Sequence, residues 1–85
     1  MDNKSYSAVV QKVFPNGKHG PYAVASHADL GDVTFSLEPP VWEDVDWPDE
    51  GLTVVLSKIR KKRAGWRAYS GRFFGPSDEQ PATGK

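Results

Sequence analysis

The residues with the greatest chemical potential in this chain are its cations, which stand close together. Lys58, Arg60, Lys61, Lys62 and Arg63 are followed by Trp66-Arg67-Ala68-Tyr69 and by Arg72. Cations that track phosphates, interleaved with flat rings that receive bases, are what a single strand of nucleic acid asks of a binding surface. Each phosphate neutralised releases counterions, so such binding weakens steeply with salt. Lys12 and Lys18 add cations from the N-terminal third, and His19 stands beside Lys18. In an extended strand Lys58, Arg60 and Lys62 point to one side and Lys61 with Arg63 to the other, so not every charge can serve one face. The competing reading is a solvated hairpin whose charges protect an edge strand from unwanted pairing. Trp66 is open in the same way. Facing inward with Ala68 it plugs a barrel end, and facing outward it stacks on a base. Tyr69 has the opposite parity and is expected to be exposed.

The formal net charge is zero, and that average hides a sharp segregation. From Asp29 to Glu50 every charged residue is acidic, and from Gly51 to Gly75 every one is basic. A local field of this kind steers ligands where a net value does not. The alternative is that the two blocks face one another and neutralise. Trp42 and Trp47 lie inside the acidic block, whose composition repels phosphate. Either they fold their loop back over the barrel mouth, or they dock a basic protein partner, since exposed Trp is typical of interface hot spots. A third possibility is a latch in which the acidic loop covers the basic hairpin.

Chemistry of other kinds finds little support. The chain has no cysteine, which excludes disulfides and thiolate metal sites. His19 and His27 are isolated, and Asp29 with Asp32 near His27 is a poor match to metal-ligand spacing. No nucleophile elbow, phosphate-binding loop or HExxH pattern is present. The expectation is a protein without catalytic residues, metal or cofactor. No apolar run approaches the ~20 residues that span a bilayer. Met1 to Ser5 lacks the charged-then-apolar profile of a signal peptide. A cytoplasmic monomer without membrane contact is therefore expected.

The elements that must position these groups follow from alternation broken by Gly and Pro. Ser5 to Phe14 reads as a strand ended by Pro15-Asn16-Gly17. Tyr22 to Ala28 is the next, with Tyr22, Val24 and Ser26 on one face and Val24 assigned to the core. After the turn Asp29-Leu30-Gly31-Asp32 come Val33, Phe35 and Leu37, alternating with Thr34, Ser36 and Glu38. Pro39-Pro40 stops this strand, and Val41 to Gly51 is a long loop. Leu52 to Lys61 is the fourth strand, with Val54 and Leu56 inward. Lys62-Arg63-Ala64-Gly65 turns into the fifth, Trp66 to Phe74, where Trp66, Ala68 and Ser70 share one face and Arg67, Tyr69 and Gly71 the other. The expected organisation is a flexible N-terminus (1–4), one all-β barrel domain (5–75) and a disordered tail (76–85). A domain of 85 residues buries only roughly 60–65% of its chain's surface, so a closed barrel filled by large rings suits it. Spacing alone leaves open a five-stranded OB-type barrel or an SH3-like or Tudor-like one.

The order of features resembles the cold-shock domain, a nucleic-acid-binding member of the OB group. Val10-Gln11-Lys12-Val13-Phe14-Pro15-Asn16 is similar to its first strand, and Gly20-Pro21-Tyr22-Ala23-Val24 stands where the second would be. Gly31-Asp32-Val33-Thr34-Phe35 matches the third, Gly51-Leu52-Thr53-Val54-Val55-Leu56 the fourth and Arg63-Ala64-Gly65-Trp66-Arg67-Ala68 the fifth. Val13 stands at an aromatic position of that family, Tyr22 alone represents the second-strand aromatics, and Ser36 lies near the place of a third-strand His. The resemblance implies an OB barrel and a base contact for Tyr22. Single-stranded RNA or DNA is then the expected partner. Lys12, Lys18, Arg60, Lys61, Lys62, Arg63, Arg67 and Arg72 would meet phosphates, and Tyr22, Tyr69 and Trp66 bases. A protein partner at Trp42 and Trp47 is the alternative.

Overall fold

The computed structural model describes residues 4–63 and 65–78. Five strands form in the order β1 (Ser5–Phe14), β2 (Tyr22–His27), β3 (Gly31–Ser36), β4 (Thr53–Lys62) and β5 (Gly65–Phe73). They close into one barrel in the order β1-β2-β3-β5-β4, with β3 and β5 parallel and every other pair antiparallel. This is an all-β, five-stranded closed barrel, and its mixed pairing is consistent with the OB superfamily. β2 stops one residue short of the expected Ala28, while β4 and β5 each lie one residue from the expected bounds. The N-terminal residues 1–3 and the tail from 79 on lie outside the described residues.

Cross-strand rows explain what fills the barrel. Val10, Ala25 and Val33 are successive partners across β1, β2 and β3, and all are buried. The next inward row runs Val13, Ala23, Phe35, Ala68 and Ile59. Val24 was expected in the core and is not there. Ala23 and Ala25 point inward, and Val24 is half-buried on the outer face. Small side chains are needed where β2 lies beside Phe35 and Val33, and the two alanines supply them.

Strict alternation breaks in β1, β4 and β5. In β1 the pairing with β2 shifts between Val10 and Lys12, so Gln11 is an extra residue and the inward set passes from Ala8 and Val10 to Val13. In β4 Lys58 adopts φ 55°, the left-handed region that L side chains rarely enter. Val54 and Leu56 face inward before it, and Ile59 does so after it. Gly71 on β5, expected on the outer face, is buried opposite Leu56.

The long loop closes one end of the barrel. Trp42 is only 3% exposed, stacks near Phe35 at 5.7 Å and meets Phe73 edge-on at 5.1 Å. Its indole N–H donates to the Asp46 carbonyl at 2.8 Å, so the buried polar atom is satisfied. Gly71 N–H donates to Val41 O and Glu43 N–H to Gly71 O, both at 2.9 Å, so the loop adds a short parallel bridge to β5. Ser70 Oγ donates to Glu43 Oε2 at 2.6 Å, and Phe73 N–H to Asp44 Oδ2 at 2.7 Å. Burying an indole contributes about 4–6 kcal/mol of transfer free energy at ~25 cal/mol/Å². A Cβ on Gly71 would lie 3.0 Å from Leu56 Cδ2 and 3.2 Å from Trp42 Cε3, which is why glycine stands there.

Pro76–Asp78 form a 3-10 turn, and the Asp78 carboxylate accepts from Gly75 N–H and from both terminal nitrogens of Arg72.

Candidate nucleic-acid interface

The outward side of the sheet carries its own row. Lys12 pairs with Val24, Val24 with Thr34, Thr34 with Arg67, and Arg67 with Arg60. Three cations drawn from β1, β5 and β4 thus share one line across the barrel, with a hydroxyl between them. The neighbouring outward row is Phe14, Tyr22 and Ser36. Strand pairing places Phe14 against Tyr22, and their rings stack at 4.7 Å and 17°.

Three depressions run together along this face. A cleft of about 350 Å³ is lined by Lys18, His19, Tyr22, Thr34, Ser36 and Arg67 among others. It shares Lys18 and Tyr22 with a second hollow of about 250 Å³ under the β1–β2 turn, and Thr34 and Arg67 with a small one beside Lys62 and Trp66. The result is a groove from the β1–β2 turn, over β2 and β3, to the β4–β5 turn. OB barrels use the same face and the same two turns to hold oligonucleotides.

Each group is held by its neighbours. Gly17 permits the β1–β2 turn to fold tightly, since a Cβ there would collide with the Gly20 carbonyl and reach within 2.8 Å of the Tyr22 ring. Thr34 Oγ donates to the Trp66 carbonyl at 3.3 Å, and Ser36 Oγ accepts from Glu38 N–H at 3.1 Å. Lys61 Nζ lies 5.2 Å from the Trp66 ring. Lys62 Nζ and the Arg67 guanidinium lie 5.6 and 5.9 Å from Tyr69. Cation–π attraction at such distances contributes about 0.5–1 kcal/mol at exposed sites, enough to bias where a long side chain rests. The Glu38 carboxylate lies near Gly20 and sets an acidic limit to the groove at that end.

The residues singled out from the sequence therefore divide. Lys18, Tyr22, Lys62 and Arg67 line the groove, and Lys12 and Arg60 flank it in the outward row. Lys61 and Arg63 are exposed near the turn. Trp66 belongs to the inward row and is half-buried against the core, with Lys61 over its ring, and it also lines the small hollow beside Lys62. Tyr69 is exposed, as its parity required, and underlies two cations.

Arg72 is placed elsewhere. It binds Asp78 in a forked ion pair at 2.7 and 2.8 Å. Its guanidinium is held above its usual range chiefly by that hydrogen bond, with the charges of Asp78, Glu43 and Asp44 adding to it. The reciprocal bond from Arg72, helped by Gly75 N–H, pulls the Asp78 carboxyl down to about 2.

Trp42, offered as a docking residue, is core. Trp47 is 45% exposed. No ion pair joins the acidic and basic blocks among the described residues, although the charges of Glu43 and Asp44 reach Arg72. His27 serves the β2–β3 turn, where Nδ1 accepts from Asp29 and Leu30 N–H, both at 3.1 Å, while its ring meets Tyr6 edge-on.

Phe14, Thr34 and Ser36 were not singled out from the sequence. Their signal was available in the outward parity of β1 and β3 beside Tyr22, but only the register shows that they share one groove.

No protein-family model, curated protein or solved structure matches the chain. What the structure supports is the small closed five-stranded barrel, consistent with the OB superfamily.

Proposed function

We propose that this protein is a non-catalytic module that binds single-stranded nucleic acid, RNA or DNA, in the groove between its first and fourth turns. The observation that carries the reading is the outward line Lys12–Val24–Thr34–Arg67–Arg60 beside the stacked Phe14–Tyr22 pair. Cations from three strands meet the phosphates, and the ring pair meets a base. The layout shared with cold-shock domains supports the same assignment, as does the use of this face by OB barrels generally. Lys18 and Lys62 extend the cationic track at its two ends.

The test is a titration with single-stranded oligonucleotides of about ten nucleotides, within the ~4–16 that one OB barrel spans. Quenching of Trp fluorescence should appear at low salt and weaken as salt rises. Reversing Arg60, Lys62 and Arg67 to Glu should abolish it while the circular dichroism spectrum is retained. A wild-type signal that stays flat at low salt and high oligonucleotide concentration refutes the proposal.

A further inference from the structure

The acidic loop and the basic hairpin tip stand at opposite ends of β5. The loop is fastened to Ser70, Gly71 and Phe73, and the tip turns at Lys62 and Gly65. At ~3.3 Å per residue these ends are about 17–26 Å apart. That exceeds the Debye length at 0.1 M salt, which is ~10 Å. Within one copy the charges of Glu43 and Asp44 reach Arg72, but no ion pair joins the loop to Arg60, Lys62 or Arg63 among the described residues.

The loop also divides its carboxylates by task. Glu43 and Asp44 are spent inward on Ser70 and on Phe73 N–H. Asp46, Asp49 and Glu50 are exposed, together with Val45 at 96% and Trp47 at 45%. An apolar group ringed by carboxylates fits a partner that brings cations with long aliphatic stems. Trp is also the best ring for receiving a cation on its face. A surface of that description is present on the same molecule, at Arg60, Lys62 and Arg63.

We infer that the Val45–Trp47 face of the loop docks the β4–β5 tip of a second copy of this chain. The contact joins two different patches, so as a heterologous contact it adds copies in a ring or an open series. It stands whether or not the groove holds nucleic acid.

Sedimentation of the full chain tests it without any ligand. At high concentration and low salt the weight-average mass should rise about twofold or more above the monomer, because heterologous association does not saturate at two copies. At high salt it should return to the monomer. Two charge-reversed variants, D46K/D49K/E50K and R60E/K62E/R63E, should each remain monomeric alone. Their equimolar mixture should associate again, since each then carries the complement of the other. Trp47→Ala leaves every charge in place and should weaken association about tenfold or more if the ring anchors the contact. Circular dichroism confirms that each variant is folded. A wild-type chain that stays monomeric at low salt overturns the inference, and so does an acidic-loop variant that associates alone as the wild type does.

Discussion

Replacing Lys12 and Arg67 together by Gln should change the salt dependence of nucleic-acid binding by a calculable amount. Both residues belong to the outward row, joined through Val24 and Thr34. With Lys18, Lys62 and Arg60 they make the set of cations that the groove can offer to phosphates. If each neutralises one phosphate, the slope of log K against log salt is about −3.5, at ~0.7 per phosphate of a single strand. Between 50 and 200 mM salt the wild type should then lose about 100-fold in affinity. Removing two of the contacts leaves a slope of about −2 and a loss of about 20-fold over the same range. Arg72→Gln is the control. Its guanidinium is committed to Asp78, so that variant should keep the wild-type slope. Fluorescence anisotropy of a labelled oligonucleotide at several salt concentrations measures all three. A wild-type slope shallower than about −1, or an Arg72 variant that flattens it as much as the pair, refutes the placement of the phosphates.

Three further outcomes follow from the fold. Trp42→Ala should cost about 3–5 kcal/mol in urea unfolding, whereas Trp47→Ala should stay within about 0.5 kcal/mol; similar midpoints for the two would contradict the plug. The Asp78 carboxyl is lowered from 3.8 to about 2, so its contribution to stability is full above pH ~4 and vanishes as pH falls through its folded value. Asp78→Asn should therefore remove the part of acid destabilisation that falls in that window, as read from urea midpoints at successive pH values, and an unchanged acid limb argues against the clip. Lys58→Gly should stabilise the protein by up to about 1 kcal/mol, because glycine accepts the φ of 55° without the Cβ clash. A β-branched residue there should do the opposite, and stabilisation by Val would show that the bend in β4 is not needed.

Local pattern was enough to place five strands, the long loop and the segregation of charge, because alternation along a strand encodes which residues share a face. It also put Phe35, Val54 and Leu56 in the core, where they are fully buried. It could not find Gln11 and Lys58 as the points where faces exchange, since the first is a register shift against β2 and the second a left-handed φ within β4. Val24 illustrates the cost: its apolar nature argued for the interior, while the bulk of Phe35 and Val33 next door reserved that side for alanines.

Trp42 and Trp47 occupy one loop of one composition, and nothing in their immediate neighbours separates a core residue from a surface one. Docking on Phe35, Gly71 and Phe73 makes that choice for Trp42. Arg72 likewise looked like a member of the cationic track until Asp78 folded back onto it. The sequence by itself thus determined the strands and the separation of acid from base. Tertiary structure alone decided which cations and rings face one groove, because Lys12, Thr34, Arg67 and Arg60 become neighbours only through the registers of four strand pairings that no local pattern specifies.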